Sequence, residues 1–219
     1  MSLCSMHAQD TVRRLEPLPT SLSCAAFIVG YGAHHVPSWQ EVNHDVQEWS
    51  NEVSNGRSVK VDNYLQYAPL AALYGLKVCG VPSRDDYWPM TRLSVETFVV
   101  STAVVHIVKN VTDVKRPDSW ALNSFVSGHT ATAFSNAELL RLEYRDVSPW
   151  IGVAGYTVAV VTGLLRIYNN RHWSADVVAG AGVGVLSAQV TNWVDGIVWK
   201  QRPSPIEMPQ TAYILTFDD

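Results

Sequence analysis

GVAGYTVAVVTG at residues 152–163 and VVAGAGVGVLSAQVTNW at residues 177–193 decide the fold. Each lies inside a longer uncharged stretch, Val147 to Leu165 and Val177 to Val194. Both approach the roughly 20 residues that an α-helix needs to cross a bilayer. Both are also rich in Gly, Ala, Ser and Thr, which let helices approach closely in a membrane or in a tight bundle. Shorter apolar runs occur at Ser21 to Ala33, Tyr64 to Leu76 and Thr97 to Val108. No strand-type alternation is long enough to compete, and no internal repeat is present. The reading is an all-α, single-domain helical bundle. A mean hydropathy of +0.01 is low for a chain built of several lipid-exposed spans. Multiple insertion and a compact bundle on or near the membrane both stay open at this level.

Outward from that core, the pattern predicts helices over about 61–79, 90–113, 127–142, 149–167 and 172–199, with loops at 81–86 and 113–126. Asn55-Gly56 marks a turn. Before it, Trp39, Val42, Val46, Trp49 and Val53 recur at steps of three and four, which puts them on one face of a helix. Ser38 with Glu41 reads as a capping box at its start. The polar face carries Glu41, Asp45, Glu48 and Glu52, which disfavours an anionic lipid surface. Packing of the apolar face on the bundle is the expectation. Residues 1–36 read as an irregular tail or anchor, with Pro17, Pro19 and Pro37 as breakers, and 201–219 as an extended tail. Cys4–Asp10 reads either as the end of a secretory leader or as a short disordered tail. The bundle domain is expected over 37–200.

At 219 residues the chain can bury a real core in one domain. A net charge of -4 argues against a nucleic-acid partner. Cys4, Cys24 and Cys79 show neither paired nor metal-type spacing. The informative residues are the polar ones that interrupt the apolar pattern. Taken singly, each has an ordinary explanation. Lys109 can offset a helix dipole. Ser127 and Gly128 can start a helix. His172 and Asp176 can be a surface pair.

Together they form Lys109-NVTDVK-Arg116-Pro117, then Val126-Ser127-Gly128-His129, then Leu165-Arg166-IYNNR-His172-WSA-Asp176. This arrangement resembles the three-part signature of the type 2 phosphatidic acid phosphatase (PAP2) and vanadium haloperoxidase superfamily: Lys-x6-Arg-Pro, Pro-Ser-Gly-His, and Ser-Arg-x5-His-x3-Asp. The resemblance covers about residues 60–200. Phrases such as VDNYLQYAP, GHTATAF and RIYNNRHW also look like a Bacteroides-type envelope branch. Two positions depart from the pattern, Val126 for Pro and Leu165 for Ser. Neither removes a charge or a proton carrier, so altered efficiency or substrate preference is expected.

The residue types suit phosphate chemistry. A phosphate monoester carries about -1.5 to -2 charge at pH 7. Fixed cations around its equatorial oxygens stabilise the transition state. The resemblance assigns this clamp to Lys109, Arg116 and Arg166, with the N–H groups at Ser127 and Gly128 beside it. Imidazole titrates near neutrality, so it can serve as nucleophile or as acid. The residues alone do not say which histidine does which. The resemblance makes His172 the nucleophile, oriented by Asp176, and His129 the general acid and then base. It implies no metal and no cofactor. Expected partners are a phosphate-bearing lipid or a small organic phosphate, with membrane association, in a bacterial envelope or periplasm. The alternatives are a soluble acid phosphatase, a vanadate-dependent haloperoxidase, and a non-catalytic phosphate-lipid binder. His34-His35 reads as a loop or tail pair. His44 reads as solvated, and His106 as a core or supporting residue. Lys115 and Arg171 adjoin the motifs without belonging to them. Asp113 and Asp118 read as salt-bridge or loop-capping groups.

Overall fold

The computed structural model describes residues 13–199 and is all-helical there. The leader-like Cys4–Asp10 and the tail at 201–219 lie outside the described residues. Eight helices follow in order: α1 Pro17–Gly32, α2 Pro37–Ser54, α3 Asp62–Leu65, α4 Ala68–Val78, α5 Tyr87–Thr112, α6 Gly128–Tyr144, α7 Pro149–Tyr168 and α8 Ser174–Val198.

The two small-residue stretches are α7 and the length of α8. Their composition lets them pack closely around α6, most of whose side chains are buried. α8 packs against α1, α5 and α6, while α7 and α4 cover other sides of α6. Gly180 shows what the small residues achieve. A Cβ there would lie 2.6 Å from the Ser127 carbonyl oxygen, so only glycine lets α8 pass this close to the start of α6. α1, α5 and α7 run toward one end of the bundle and α6 and α8 run away from it. That end gathers the C-termini of α1, α5 and α7 with the N-termini of α6 and α8.

Several expected boundaries shift, each for a local reason. The segment expected as an irregular N-terminal stretch contains α1, which packs along α8. Pro17 and Pro19 stand in its first turn, where a missing N–H costs nothing. The same logic moves the start of α2, since Pro37 occupies its first turn and Val36, not Ser38, is the N-cap. The expected helix over 61–79 is broken at Gln66–Tyr67 into α3 and α4, with Pro69 opening the second piece. α8 begins at Ser174, so His172 sits in the turn before it rather than on the helix.

α2 differs most from expectation. It does pack on the bundle, but through Asn43, Ser50 and Ser54, which are its buried residues. Its apolar stripe points outward, with Trp39, Val42, Trp49 and Val53 all exposed. His106 is also exposed on α5 instead of buried.

Three described helices are long and apolar enough to cross a membrane: α5, α7 and α8, of 26, 20 and 25 residues. α5 carries Val95, Phe98, Val99 and Ile107 on its outer side, and α7 carries Val153, Val160, Val161 and Leu164.

Candidate active site

Every residue of the three sequence motifs comes to the same end of the bundle. Lys109 arrives from the last turn of α5, and its Nζ donates to the carbonyl oxygens of Asn123 (2.5 Å) and Ser124 (3.1 Å). Arg116 lies in the following loop and donates from Nε to Asn123 Oδ1 at 2.7 Å. The loop is closed on itself by Arg116 N–H to Ala121 O and Ser124 N–H to Val114 O. Both cations therefore hydrogen-bond to neutral oxygens. Arg166, in the last turn of α7, donates from Nη1 to Asp62 Oδ2 at 2.6 Å.

Ser127 is the N-cap of α6. Its buried hydroxyl accepts from Thr130 N–H (3.4 Å) and Thr130 Oγ1 (2.9 Å). It is thus occupied in starting the helix, while Gly128 and His129 supply the first turn. His129 Nε2 lies 2.9 Å from Asn63 Oδ1.

The Asp176 carboxylate is fully buried and held by four groups. Oδ2 accepts from Ser124 Oγ (2.5 Å) and Trp173 N–H (2.9 Å), and it lies 3.3 Å from His172 Nδ1. Oδ1 lies 2.9 Å from His34 Nε2. Asp176 is the third residue of α8, so its bond to Trp173 N–H also caps that helix. The Ser127 N–H donates to the Asp176 carbonyl at 3.0 Å, which ties the α8 start to the α6 start. Asp176 faces Nδ1, so a proton held there leaves the Nε2 lone pair of His172 for chemistry.

Electrostatics keep both histidines neutral in the free protein. Burial pushes His172 down to about 4, against the opposing pull of Asp176 and with the help of Lys109 and Arg166. Burial also pushes His129 down to about 4, reinforced by Arg166, with His172 and Arg116 adding smaller effects. The same influences show that the cations and histidines share one field. Such an array can receive an anion with an unprotonated imidazole beside it.

The sequence reading missed four contributors. His34, expected in a tail or loop, stands in the turn after α1 and reaches Asp176, a contact that the expectation did not foresee. Asp62 and Asn63 come from α3 to meet Arg166 and His129. Ser124 bridges toward Asp176 from the α5–α6 loop. None stands in the three-part signature, although Asp62 and Asn63 lie within the VDNYLQYAP stretch quoted above without a role having been read for them. Of the flanking residues, Arg171 pairs with Asp118 at 2.9 Å, as expected of that carboxylate, and Lys115 lies over the Trp120 ring. His44 is exposed but meets the Trp173 ring edge-on at 5.0 Å. Among the described residues, no group of three or more His, Cys, Asp or Glu is placed to hold a metal ion.

Comparison with known proteins bears on family and fold. Residues 92–199 match the model of the PAP2 superfamily. The chain is 42% identical over 142 residues to the lipid A 1-phosphatase of Porphyromonas gingivalis, which covers 64% of this chain and 32% of that protein. It is 38% identical over 71 residues to the bacitracin transport permease protein BcrC of Bacillus licheniformis, covering 32% of this chain and 33% of that one. The chain thus spans about a third of the length of the curated relatives it matches. Among solved structures it is similar to the transmembrane PAP2-type phosphatidylglycerolphosphate phosphatase from Bacillus subtilis. The TM-score is 0.60 at 18% identity, over 84% of this chain and 98% of that one, a likeness of fold. The long apolar helices with their outward apolar faces make the chain membrane-associated.

Proposed function

We propose, from the premise that this chain belongs to the PAP2 superfamily, that it removes a phosphate group from a lipid at the membrane surface through a phosphohistidine formed on His172. One observation carries this reading. A buried carboxylate, held by Ser124, Trp173 N–H and His34, backs the imidazole of His172 beside cations whose hydrogen-bond partners are largely neutral oxygens.

Lys109, Arg116 and Arg166 hold the nonbridging oxygens of the phosphate, with the first N–H groups of α6 next to them. Arg166 shares its charge between the phosphate and Asp62. The Nε2 lone pair of His172 attacks phosphorus as the bond to the lipid oxygen breaks. Asp176 stabilises the cationic ring that results. His129 gives its proton to the departing oxygen. The dianion makes this possible, because its charge offsets Arg166 and Arg116 and raises the proton affinity of His129. In the second half His129 takes a proton from water, the hydroxide oxygen bonds to phosphorus, and the N–P bond breaks to release orthophosphate. The fixed cations supply the charge stabilisation that phosphoryl transfer demands.

The surroundings of the site support a lipid substrate. It lies at the end of apolar helices that present Val, Phe and Leu outward, a position that suits a phosphate at the level of the lipid headgroups. The likeness to a lipid A 1-phosphatase favours a phosphorylated glycolipid among lipid phosphates, in a bacterial envelope.

The test is orthophosphate release by protein in phosphatidylcholine vesicles under excess EDTA. Substrates are lipid A, phosphatidylglycerol phosphate, phosphatidic acid and p-nitrophenyl phosphate. The proposal expects turnover that EDTA leaves unchanged, fastest on a lipid phosphate. Loss of turnover in EDTA, or none on any phosphate, contradicts it. A preference for p-nitrophenyl phosphate keeps the chemistry and overturns the lipid assignment.

A further inference from the structure

The outward apolar stripe of α2 takes no part in the site chemistry. Trp49 is 63% exposed, Val42 57% and Val53 55%, although all three are large and apolar. Projected at 3.6 residues per turn, α2 has three distinct sides. Asn43, Ser50 and Ser54 form the side packed on the bundle. Glu41, Asp45, Glu48 and Glu52 form an exposed acidic side. Trp39, Val42, Val46, Trp49 and Val53 lie between them, about 100° from each.

A helix divided this way contacts protein, water and a third, apolar phase. We infer that the third phase is the bilayer, and that α2 lies in the membrane surface with its Trp–Val side among the acyl chains. Continuity carries the assignment. Val46, Trp49 and Val53 share one apolar groove of about 280 Å³ with Val161, Leu164 and Tyr168 of α7. α7 is one of the helices long enough to span a membrane, and Val161 and Leu164 face outward from it. The two apolar surfaces therefore meet the same medium. Charge identifies the lipid. α2 has no Lys or Arg, and its carboxylates lie beside the apolar side, so uncharged or zwitterionic headgroups suit it and anionic ones do not. Trp at such a boundary places an apolar ring body below a polar edge.

The contact has a direct line to the nucleophile. Asn43 Oδ1 accepts from Ser174 Oγ (2.6 Å) and Ala175 N–H (3.0 Å), two and three residues after His172. Ser50 Oγ donates to Ile167 O at 3.1 Å and Gln47 to Asn170 Oδ1 at 3.0 Å, on the turn that joins Arg166 to His172. A helix seated in the membrane surface thus sets the level of the site relative to the headgroups.

The inference rests on membrane association and not on hydrolysis, and its test needs no turnover. A nitroxide is attached at Val53→Cys or Glu48→Cys, in the full chain with Cys4, Cys24 and Cys79 changed to Ser, in phosphatidylcholine vesicles. At Val53 relaxation is expected to be enhanced more by oxygen than by a water-soluble nickel chelate, and at Glu48 the reverse. Equal nickel access at both positions overturns the inference. So does shielding of Val53 from both reagents, which identifies a protein cover such as a second copy of this chain. Because the cysteine-free chain can fail to fold, Trp49→Phe in the otherwise unaltered protein provides a second readout. Quenching of its fluorescence by phosphatidylcholine brominated in the acyl chains is expected to be smaller than for the unsubstituted chain. Undiminished quenching contradicts the inference.

Discussion

The two ends of the bundle are both rich in charge and use it in opposite ways. At the end away from the site, cations meet carboxylates. Arg13 pairs with Asp85 (2.5 Å) and Asp195 (2.6 Å), Arg92 with Asp195 (2.5 Å), and Arg84 with Asp85 and Glu143 (3.0 Å each). Arg141 joins Glu138 at 2.7 Å and Glu16 at 2.9 Å, and Gln189 and Tyr156 also donate to Glu138. At the site end, Lys109 and Arg116 hydrogen-bond to neutral oxygens, and Asp62 is the carboxylate that meets Arg166. A carboxylate partner uses up a cation's charge, whereas a neutral oxygen orients the cation and leaves its charge for a ligand. One end is built to hold helices together, and the other leaves cationic charge of the kind that the proposed phosphate site requires.

Breaking the closed end is expected to have the largest effect, and on stability. Arg84→Ala leaves Glu143 buried without its cation, which costs about 3–5 kcal/mol. Thermal unfolding in detergent reads the loss, and turnover per folded molecule is expected to stay near that of the unsubstituted chain. The open end should respond in the converse way. Lys109→Ala or Arg116→Ala removes charge stabilisation of the transition state, a loss of about 10²–10³-fold in kcat. Little change in melting temperature should accompany it, and a large fall would mean that the two ends do not differ in kind.

Asp62→Asn sharpens the contrast by removing the carboxylate from Arg166. Inhibition by orthophosphate is expected to tighten about tenfold, or about 1.4 kcal/mol. Unchanged or weaker inhibition would show that Asp62 serves to aim Arg166 and does not compete with the anion.

A separate effect is on pH. His172 and His129 titrate near about 4 in the folded protein, against about 6.5 in an unfolded chain. The unfolded chain therefore binds protons first as pH falls. Stability from this source is full above about 6.5 and is lost progressively toward about 4. Burial pushes Glu143 up to about 7, which acts with the opposite sign over the same range, so the difference is read: melting temperatures from pH 7 to 4 should fall less steeply in His172→Asn than in the unsubstituted chain.

The sequence made the bundle legible because helix periodicity and small-residue runs are local properties. The site motifs were legible because their residue types and spacings resemble a known three-part family signature, whose parts the fold brings to one end. The roles of His34, Asp62 and Asn63 were not legible, since they reach Asp176, Arg166 and His129 across more than 60 residues of chain and stand outside the three-part signature, although VDNYLQYAP contains two of them. The break in the expected helix over 61–79 also has a purpose, because α3 carries two of those residues. α2 shows a different limit. Its period revealed an apolar stripe, but a stripe alone does not say whether protein or lipid covers it. Asn43, Ser50 and Ser54 settle that the protein side is the polar one.

The most direct test of the account is to trap the intermediate. Protein is mixed with a ³²P-labelled lipid phosphate and quenched in alkaline denaturant, and label on the chain is measured for the unsubstituted protein, His172→Ala and His129→Ala. The account predicts base-stable, acid-labile label on the unsubstituted chain, none on His172→Ala, and slow-clearing label on His129→Ala because water lacks its base. Label that persists on His172→Ala, or turnover that continues in that variant, would contradict it.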